Sequence, residues 1–295
     1  MAKILLAGDG WGAIAAFNSL KVSEEHQLFI FTHDENWKNQ LQEENYFCVN
    51  SFNGTYDLVI TAGWRPIIKE DVLKKFRILN IHYSLLPAYR GFHGTVWAIL
   101  NNESKLGITI HRMNAHIDDG PIVYQFSLDN NFVDTATSYM SRFNDNVQEQ
   151  LLTVVNEYLS GERNEVPQDK SKASWVGKRK PGHCALDFTK TLDYQKAFFR
   201  ALSQPYPAPY FIVKGQIFEV HKATFHESPV SSDNGRILNI DNEGVWISCV
   251  GGYIVCKKII LQSGGKEVPY KYFKIGQMTQ VPSQQQLQLV GQLVA

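Results

Sequence analysis

The sequence lacks any long apolar run. Stretches such as Gly251 to Val255 or Ile259 to Leu261 end after a few residues, far short of the roughly 20 a bilayer core requires. Cysteine is scarce: Cys48, Cys184, Cys249 and Cys256 are scattered without a CxxC pair, so reduced, structural thiols are expected and a zinc site is not. Neither sign of charge is in excess, with 29 Lys+Arg against 29 Asp+Glu. A general polyanion binder needs a cationic surplus, so that class is disfavoured, although one small basic site is not. No internal repeat is present. Lys3 followed by Ile4-Leu5-Leu6-Ala7 looks briefly like an export signal, but Asp9 interrupts it. A first β-strand and a cytoplasmic protein are expected instead.

What the chain does have is globular. Its 295 residues are 44% hydrophobic, enough for two domains. In the first half, Lys3 to Ala7, Leu28 to Phe31, Leu58 to Thr61, Ile78 to His82 and Ile108 to Arg112 read as strands. Ala13 to Leu20, Asp71 to Phe76 and Thr95 to Leu100 can be helical between them. The longest helix is expected over Thr135 to Leu159, where Met140, Phe143, Val147, Leu151, Val154 and Tyr158 recur every three or four residues. Alternating β and α predicts an α/β fold with a Rossmann-like, mostly parallel sheet. Ligands of such sheets sit beyond the carboxyl ends of the strands. A Pro- and Lys-rich stretch around Glu162 to Gly182 reads as a linker, and short strands with Asn242-Glu243-Gly244 and Gly251-Gly252 turns follow. We therefore expect a catalytic domain over 1–180, linker included, and a smaller β-barrel-like (OB-like) domain over 181–295. The stretch Val281 to Ala295, with Gln284-Gln285-Gln286, reads as a loosely held tail.

Three features carry chemistry. Gly8-Asp9-Gly10-Trp11-Gly12 lies between a strand and a helix; it is either a substrate-lining loop, with Gly10 and Trp11 near the ligand, or a plain tight turn. Asn80-Ile81-His82-Tyr83-Ser84-Leu85-Leu86-Pro87 places Asn80 and His82 on one face of a strand. An amide beside an imidazole suits a developing oxyanion; a strand end with a satisfied histidine is the plainer alternative. Ile117-Asp118-Asp119-Gly120-Pro121-Ile122 then sets two carboxylates in a tight turn. One could orient His82 and favour its charged form, and one could simply cap the turn.

Asn-x-His-x-Ser-Leu-Leu-Pro followed by Ile-Asp-x-Gly-Pro-Ile resembles the folate-dependent formyltransferase family. Its members include glycinamide ribonucleotide formyltransferase, methionyl-tRNA formyltransferase and the nucleotide-sugar N-formyltransferases. The resemblance covers about residues 1 to 160 in layout and is sharp over 77 to 125. It implies Asn80, His82 and Asp118 as catalytic residues, and N10-formyltetrahydrofolate as the formyl donor without a metal. The donor is expected against Gly63 to Ile67, Leu85 to Arg90 and Arg112 to Asp119, with Trp64, Arg65, Leu86 and Asp119 touching it. Trp64 has a core role as its alternative.

For the acceptor, a second domain argues against the single-domain purine enzyme. The loop Ala88-Tyr89-Arg90-Gly91-Phe92-His93-Gly94 holds one cation, which is poor equipment for gripping RNA. Arg200-Ala201-Leu202 followed by Pro205-Tyr206-Pro207-Ala208-Pro209 is similar to a segment of the sugar formyltransferases, though Ala-Pro replaces their usual Gly-Ala. The expected acceptor is therefore a dTDP- or UDP-linked amino sugar for surface polysaccharide such as the O-antigen of lipopolysaccharide. Arg90 and Arg200 are candidate acceptor contacts; Arg200 could fork onto a diphosphate or be a solvated helix end. Lys178-Arg179-Lys180 is either added charge for that diphosphate or solvated linker. Methionyl-tRNA is the alternative acceptor. No membrane partner is expected, and a homodimer is one compatible assembly.

Overall fold

Continuous apolar strands need cover on both faces, and the first half of the chain has them. In the computed structural model, which describes residues 1–229 and 232–282, Ile4, Leu5 and Leu6, Leu58, Val59 and Ile60, and Ile78, Leu79 and Ile81 are all buried. They lie on β1 (Ala2–Gly8), β4 (Leu58–Ala62) and β5 (Ile78–His82). With β2 (His26–Phe31), β3 (Phe47–Cys48), β7 (Lys105–Arg112) and β8 (Ile122–Asp129) they form one seven-stranded sheet, ordered β3-β2-β1-β4-β5-β7-β8.

The first five strands in that order run parallel. From β5 onward the pairing turns antiparallel, β5 to β7 and β7 to β8. A two-residue strand β6 (Arg90–Gly91) and the short helix α4 (Gly94–Leu100) bring the chain back to start β7 beside the carboxyl end of β5. The reversal matters for chemistry, because it sets Asn80 opposite His111 and His82 opposite Thr109.

Helices α1 (Gly10–Leu20), α2 (Glu35–Glu43), α3 (Glu70–Lys75) and α5 (Ala136–Ser160) accompany these strands. The periodic residues of α5 bury as its pattern requires, with Phe143, Val147, Leu151 and Val154 nearly inaccessible. Helix α2 has no counterpart in the sequence reading. Asp34 starts it by accepting hydrogen bonds from the Asn36 and Trp37 N–H groups, each 3.1 Å.

Two compact units result. The first comprises Met1–Thr95, Ser104–Asp129 and Ser138–Gly177; the second comprises Val96–Glu103, Asn130–Thr137 and Lys178–Ala295. The second unit thus draws two segments from before residue 180 as well as the C-terminal part. In its C-terminal part, β9 (Trp175–Val176) having paired with β6 in the first unit, the chain forms α6 (Leu192–Ala201) and six strands. These are β10 (Tyr210–Val213), β11 (Gln216–Glu227), β12 (Ile237–Asp241), β13 (Gly244–Cys249), β14 (Gly252–Leu261) and β15 (Lys266–Glu267).

Every pairing among them is antiparallel, in the order β10-β11-β14-β13-β12 with β15 beside β14. The segment 277–280 hydrogen-bonds Ile212 of one edge strand and Ile237 of the other, so the sheet is barrel-like. Cys184, Cys249 and Cys256 are buried and free; burial pushes the Cys184 and Cys249 thiols up to about 11. Among the described residues, no helix is long and apolar enough to cross a membrane. The tail with Gln284 to Gln286 lies outside the described residues.

Candidate active site

Asn80 and His82 leave β5 on one face, and the Ile117–Gly120 turn brings Asp118 to them. Asn80 Nδ2 lies 3.5 Å from Asp118 Oδ1, and His82 Nδ1 lies 3.5 Å from Asp118 Oδ2. Thr61, the β4 neighbour of Asn80, donates to Asn80 Oδ1 at 2.8 Å. That bond decides which end of the amide faces the site: the N–H end. An oxyanion there would meet a donor.

His82 is only 8% exposed. Its Nε2–H donates to the Tyr89 carbonyl at 3.0 Å. Burial is the largest influence on the imidazole and pulls its pKa down; Asp118 and the Tyr89 carbonyl push it up without cancelling that loss, and His111 adds to it. The expectation that Asp118 keeps His82 charged is therefore corrected. Desolvation in the pocket costs the imidazolium more than one carboxylate restores. The neutral ring keeps its hydrogen bond to Tyr89 and has no proton to offer Asp118; only the imidazolium donates at both ends.

Asp118 itself stays ionised. Burial raises its pKa, but His111, His82 and the Gly91 N–H together hold it at about 2. The Gly91 N–H donates to Oδ2 at 2.8 Å. Below the unfolded carboxylate range, this depressed value means that stability is lost as pH falls toward about 2.

The sequence reading missed His111. On β7 it faces Asn80, with Nε2 3.2 Å from Asn80 Nδ2 and 3.4 Å from Asp118 Oδ1. Its Nδ1–H donates to the Arg112 carbonyl at 3.1 Å. The i, i+2 rule that singled out Asn80 and His82 would also have paired Thr109 with His111. Thr61 and Gln168 were missed too, and no local pattern marks either.

The remaining candidates are placed as follows. Arg90 is 3% exposed and pairs with Asp119 at 2.7 Å, so these two residues are engaged with each other. Leu86 is buried and Arg65 is exposed. The Trp64 ring lies tilted against those of Phe31 and His33, centroids 4.8 Å away in both cases, and packs against the core of Leu5, Val59 and Ile68. Its indole N–H is buried with no partner among the described residues. Gly10 and Trp11 open α1, and Trp11 is exposed. Beside them the Asp9 carboxylate is taken by the Thr32 hydroxyl and the His33 N–H, both at 2.8 Å.

In the second unit, Lys178 and Lys180 are exposed while the Arg179 guanidinium lies 5.0 Å over the Trp97 ring. Arg200 is buried and donates to Asn130 Oδ1 (3.3 Å), the Asp134 carbonyl (3.2 Å) and Asn102 Oδ1 (3.4 Å). It is not the free guanidinium at a helix end that the sequence led us to expect, because α6 packs that end inward. Arg200→Ala is expected to lower the melting temperature by on the order of 5 °C, since buried acceptors lose their donors. A variant of unchanged melting temperature but raised acceptor KM would return it to a diphosphate role.

A match to the Formyl transferase family model covers residues 16–155, and one to the model Formyl transferase, C-terminal domain, covers 178–277. Together they take in most of the chain. The chain belongs to the formyl transferase family. This formyltransferase is 27% identical to a protein named methionyl-tRNA formyltransferase from Clostridium novyi, over 74% of this chain and 71% of that one. Its fold is similar to that of WlaRD, a sugar 3N-formyl transferase solved with dTDP and 5-N-formyl-THF (TM-score 0.69, 21% identity, 87% of this chain and 97% of that one). It is equally similar to an N-formyltransferase from Helicobacter canadensis solved with folinic acid and dTDP-3-aminofucose (TM-score 0.69, 20% identity, 87% and 99%). At such identities these structures speak for the fold of the formyltransferase.

Proposed function

We propose that the enzyme transfers the formyl group of N10-formyltetrahydrofolate to the amine of a dTDP- or UDP-linked amino sugar, within surface-polysaccharide synthesis. The observation that carries the choice of acceptor is Arg90. It is the one cation of the loop 88–94, and it is buried against Asp119. That loop offers no exposed lysine or arginine to a phosphate backbone, and the chain has no net charge to compensate. Sugar N-formyltransferases also share this fold.

In this reading the sugar amine attacks the formyl carbon and negative charge builds on the formyl oxygen. Asn80 Nδ2–H donates to that oxygen, as does His82 once it turns from the Tyr89 carbonyl. Asp118, ionised at neutral pH, takes the proton that the amine sheds, directly or through water. The carbon–N10 bond then breaks, and the proton held by Asp118 passes, directly or through water, to N10 as tetrahydrofolate leaves. The donor rests against 63–67, 85–90 and 112–119.

The second reading is methionyl-tRNA as acceptor, favoured by the name of the Clostridium novyi relative. The test is tetrahydrofolate release by the purified chain with N10-formyltetrahydrofolate. Acceptors are a panel of dTDP-, UDP- and GDP-linked 3- and 4-amino sugars and, separately, charged initiator methionyl-tRNA. Turnover with a sugar nucleotide and none with the tRNA is expected. The reverse pattern would move the chain to the tRNA-directed enzymes.

A further inference from the structure

A carboxylate that meets four partners at once must be held by its own backbone. The Asp118 backbone is unusual: its φ is +49°, a left-handed conformation that a non-glycine residue keeps only when its surroundings hold it. Two residues on, Gly120 has no room for a side chain beside the Arg112 carbonyl. The turn therefore needs an anchor beyond the Arg112 N–H bond to the Pro121 carbonyl at 2.9 Å.

Gln168 is that anchor. Its Nε2 donates to the Asp118 carbonyl at 2.8 Å and to the Gly120 carbonyl at 2.7 Å. Its Oε1 accepts from Arg90 Nη2 at 2.6 Å and Arg90 Nε at 3.2 Å. Both amide hydrogens and the oxygen are engaged, and the reversed amide would set like against like at all four contacts. The Arg90 fork is completed by Asp119 and lies 5.4 Å over the Trp175 ring.

The backbone around Gln168 is tied down as well. Val166 and Ile122 exchange two N–H···O bonds of 2.8 Å. Asp169 accepts from the Ser171 N–H at 3.0 Å. The Arg90 N–H donates to the Ser174 carbonyl at 2.8 Å. One side chain thus links the loop that follows β5 to the turn that carries Asp118.

We propose that Gln168 is a positioning residue: its side-chain amide, backed by Arg90, holds the Asp118–Gly120 turn so that the Asp118 carboxylate faces His82 and Asn80. It acts through Asp118, without contacting substrate. The Asp118 contacts to His82 and Asn80 are 3.5 Å long, so a small drift of the turn loses them. Misplacement by about 1 Å costs on the order of 10²-fold in rate. Gln168→Glu is the sharpest variant, because it replaces the donating end with oxygen against two carbonyls. Gln168→Met removes all the bonds at similar volume, and Arg90→Lys loses the fork while keeping a cation for Asp119.

The experiment uses the full chain carrying ¹⁵N-labelled histidine, with the His82 signal assigned by its loss in His82→Asn. The charged or titratable groups facing His82 are Asp118 and His111. As Asp118 drifts away, the His82 titration should move to lower pH; the melting temperature should fall by a few degrees, as buried groups lose their partners, with the protein still folded at the assay temperature. Turnover with the acceptor that the panel identifies, on which this half of the test rests, should fall about 10²-fold with both KM values within twofold. Arg90→Lys should change each readout in the same direction by less. A folded variant with wild-type turnover and an unmoved His82 titration would overturn the proposal, as would a rise in acceptor KM alone. If no acceptor supports turnover, the functional reading fails, while the His82 titration still decides the role of Gln168.

Discussion

His82→Asn should cut turnover by about 10²–10³-fold, the usual loss on removing an oxyanion donor from a desolvated site. Asp118→Asn should cost a similar factor, and the double variant little more than the worse single. Non-additivity is expected because the two side chains face each other at 3.5 Å and influence each other's charge. The pH dependence carries the sign. Asp118 raises the pKa of an imidazole that burial depresses, so removing the carboxylate must depress it further. A descending limb that reports loss of the imidazolium therefore moves to lower pH in Asp118→Asn. Steady-state kinetics across pH 5 to 9 on the four proteins of the cycle is the measurement. A double variant whose loss equals the product of the single losses would show that the residues act independently. Proton acceptance would then be the whole role of Asp118, with no part in tuning His82.

Gly120→Ala should be nearly as damaging, by a different route. A Cβ at this position would overlap the Arg112 carbonyl oxygen, and that carbonyl is fixed, since it also accepts from His111 Nδ1. The backbone of the turn has to move instead. Asp118 moves with it, and the Gln168 bond to the Gly120 carbonyl is strained. We expect turnover to fall by on the order of 10²-fold and stability to fall by about 2–3 kcal/mol, as for overpacking a rigid site. A melting curve together with kcat separates the two losses. Gly161→Ala is the control: nothing stands near the added methyl, so only the modest loss of stability due to its own positive φ, and no loss of kcat, should follow.

Much of the scaffold was legible in the residue order, because its signals are local. Buried strands show as apolar runs, and α5 shows as six apolar residues at helical spacing. The i, i+2 rule alone places Asn80 and His82 on one face of β5. The two motifs were enough to name the family and to bring Asp118 into the site as a candidate.

What only the tertiary structure decided depends on chain reversals and on burial, which local patterns do not encode. The antiparallel return of β7 puts His111 against Asn80, 31 residues away. Gln168 meets the Asp118 carbonyl across 50 residues. Arg90 and Arg200 are both cations that read as ligand contacts, yet both are buried, one on Asp119 and Gln168, the other on Asn102, Asn130 and Asp134. The protonation of His82 follows the same logic. An acidic turn expected at the end of a neighbouring strand pointed to a charged imidazole, but the pKa of a buried group is set by the water it loses as well as by the charge it gains.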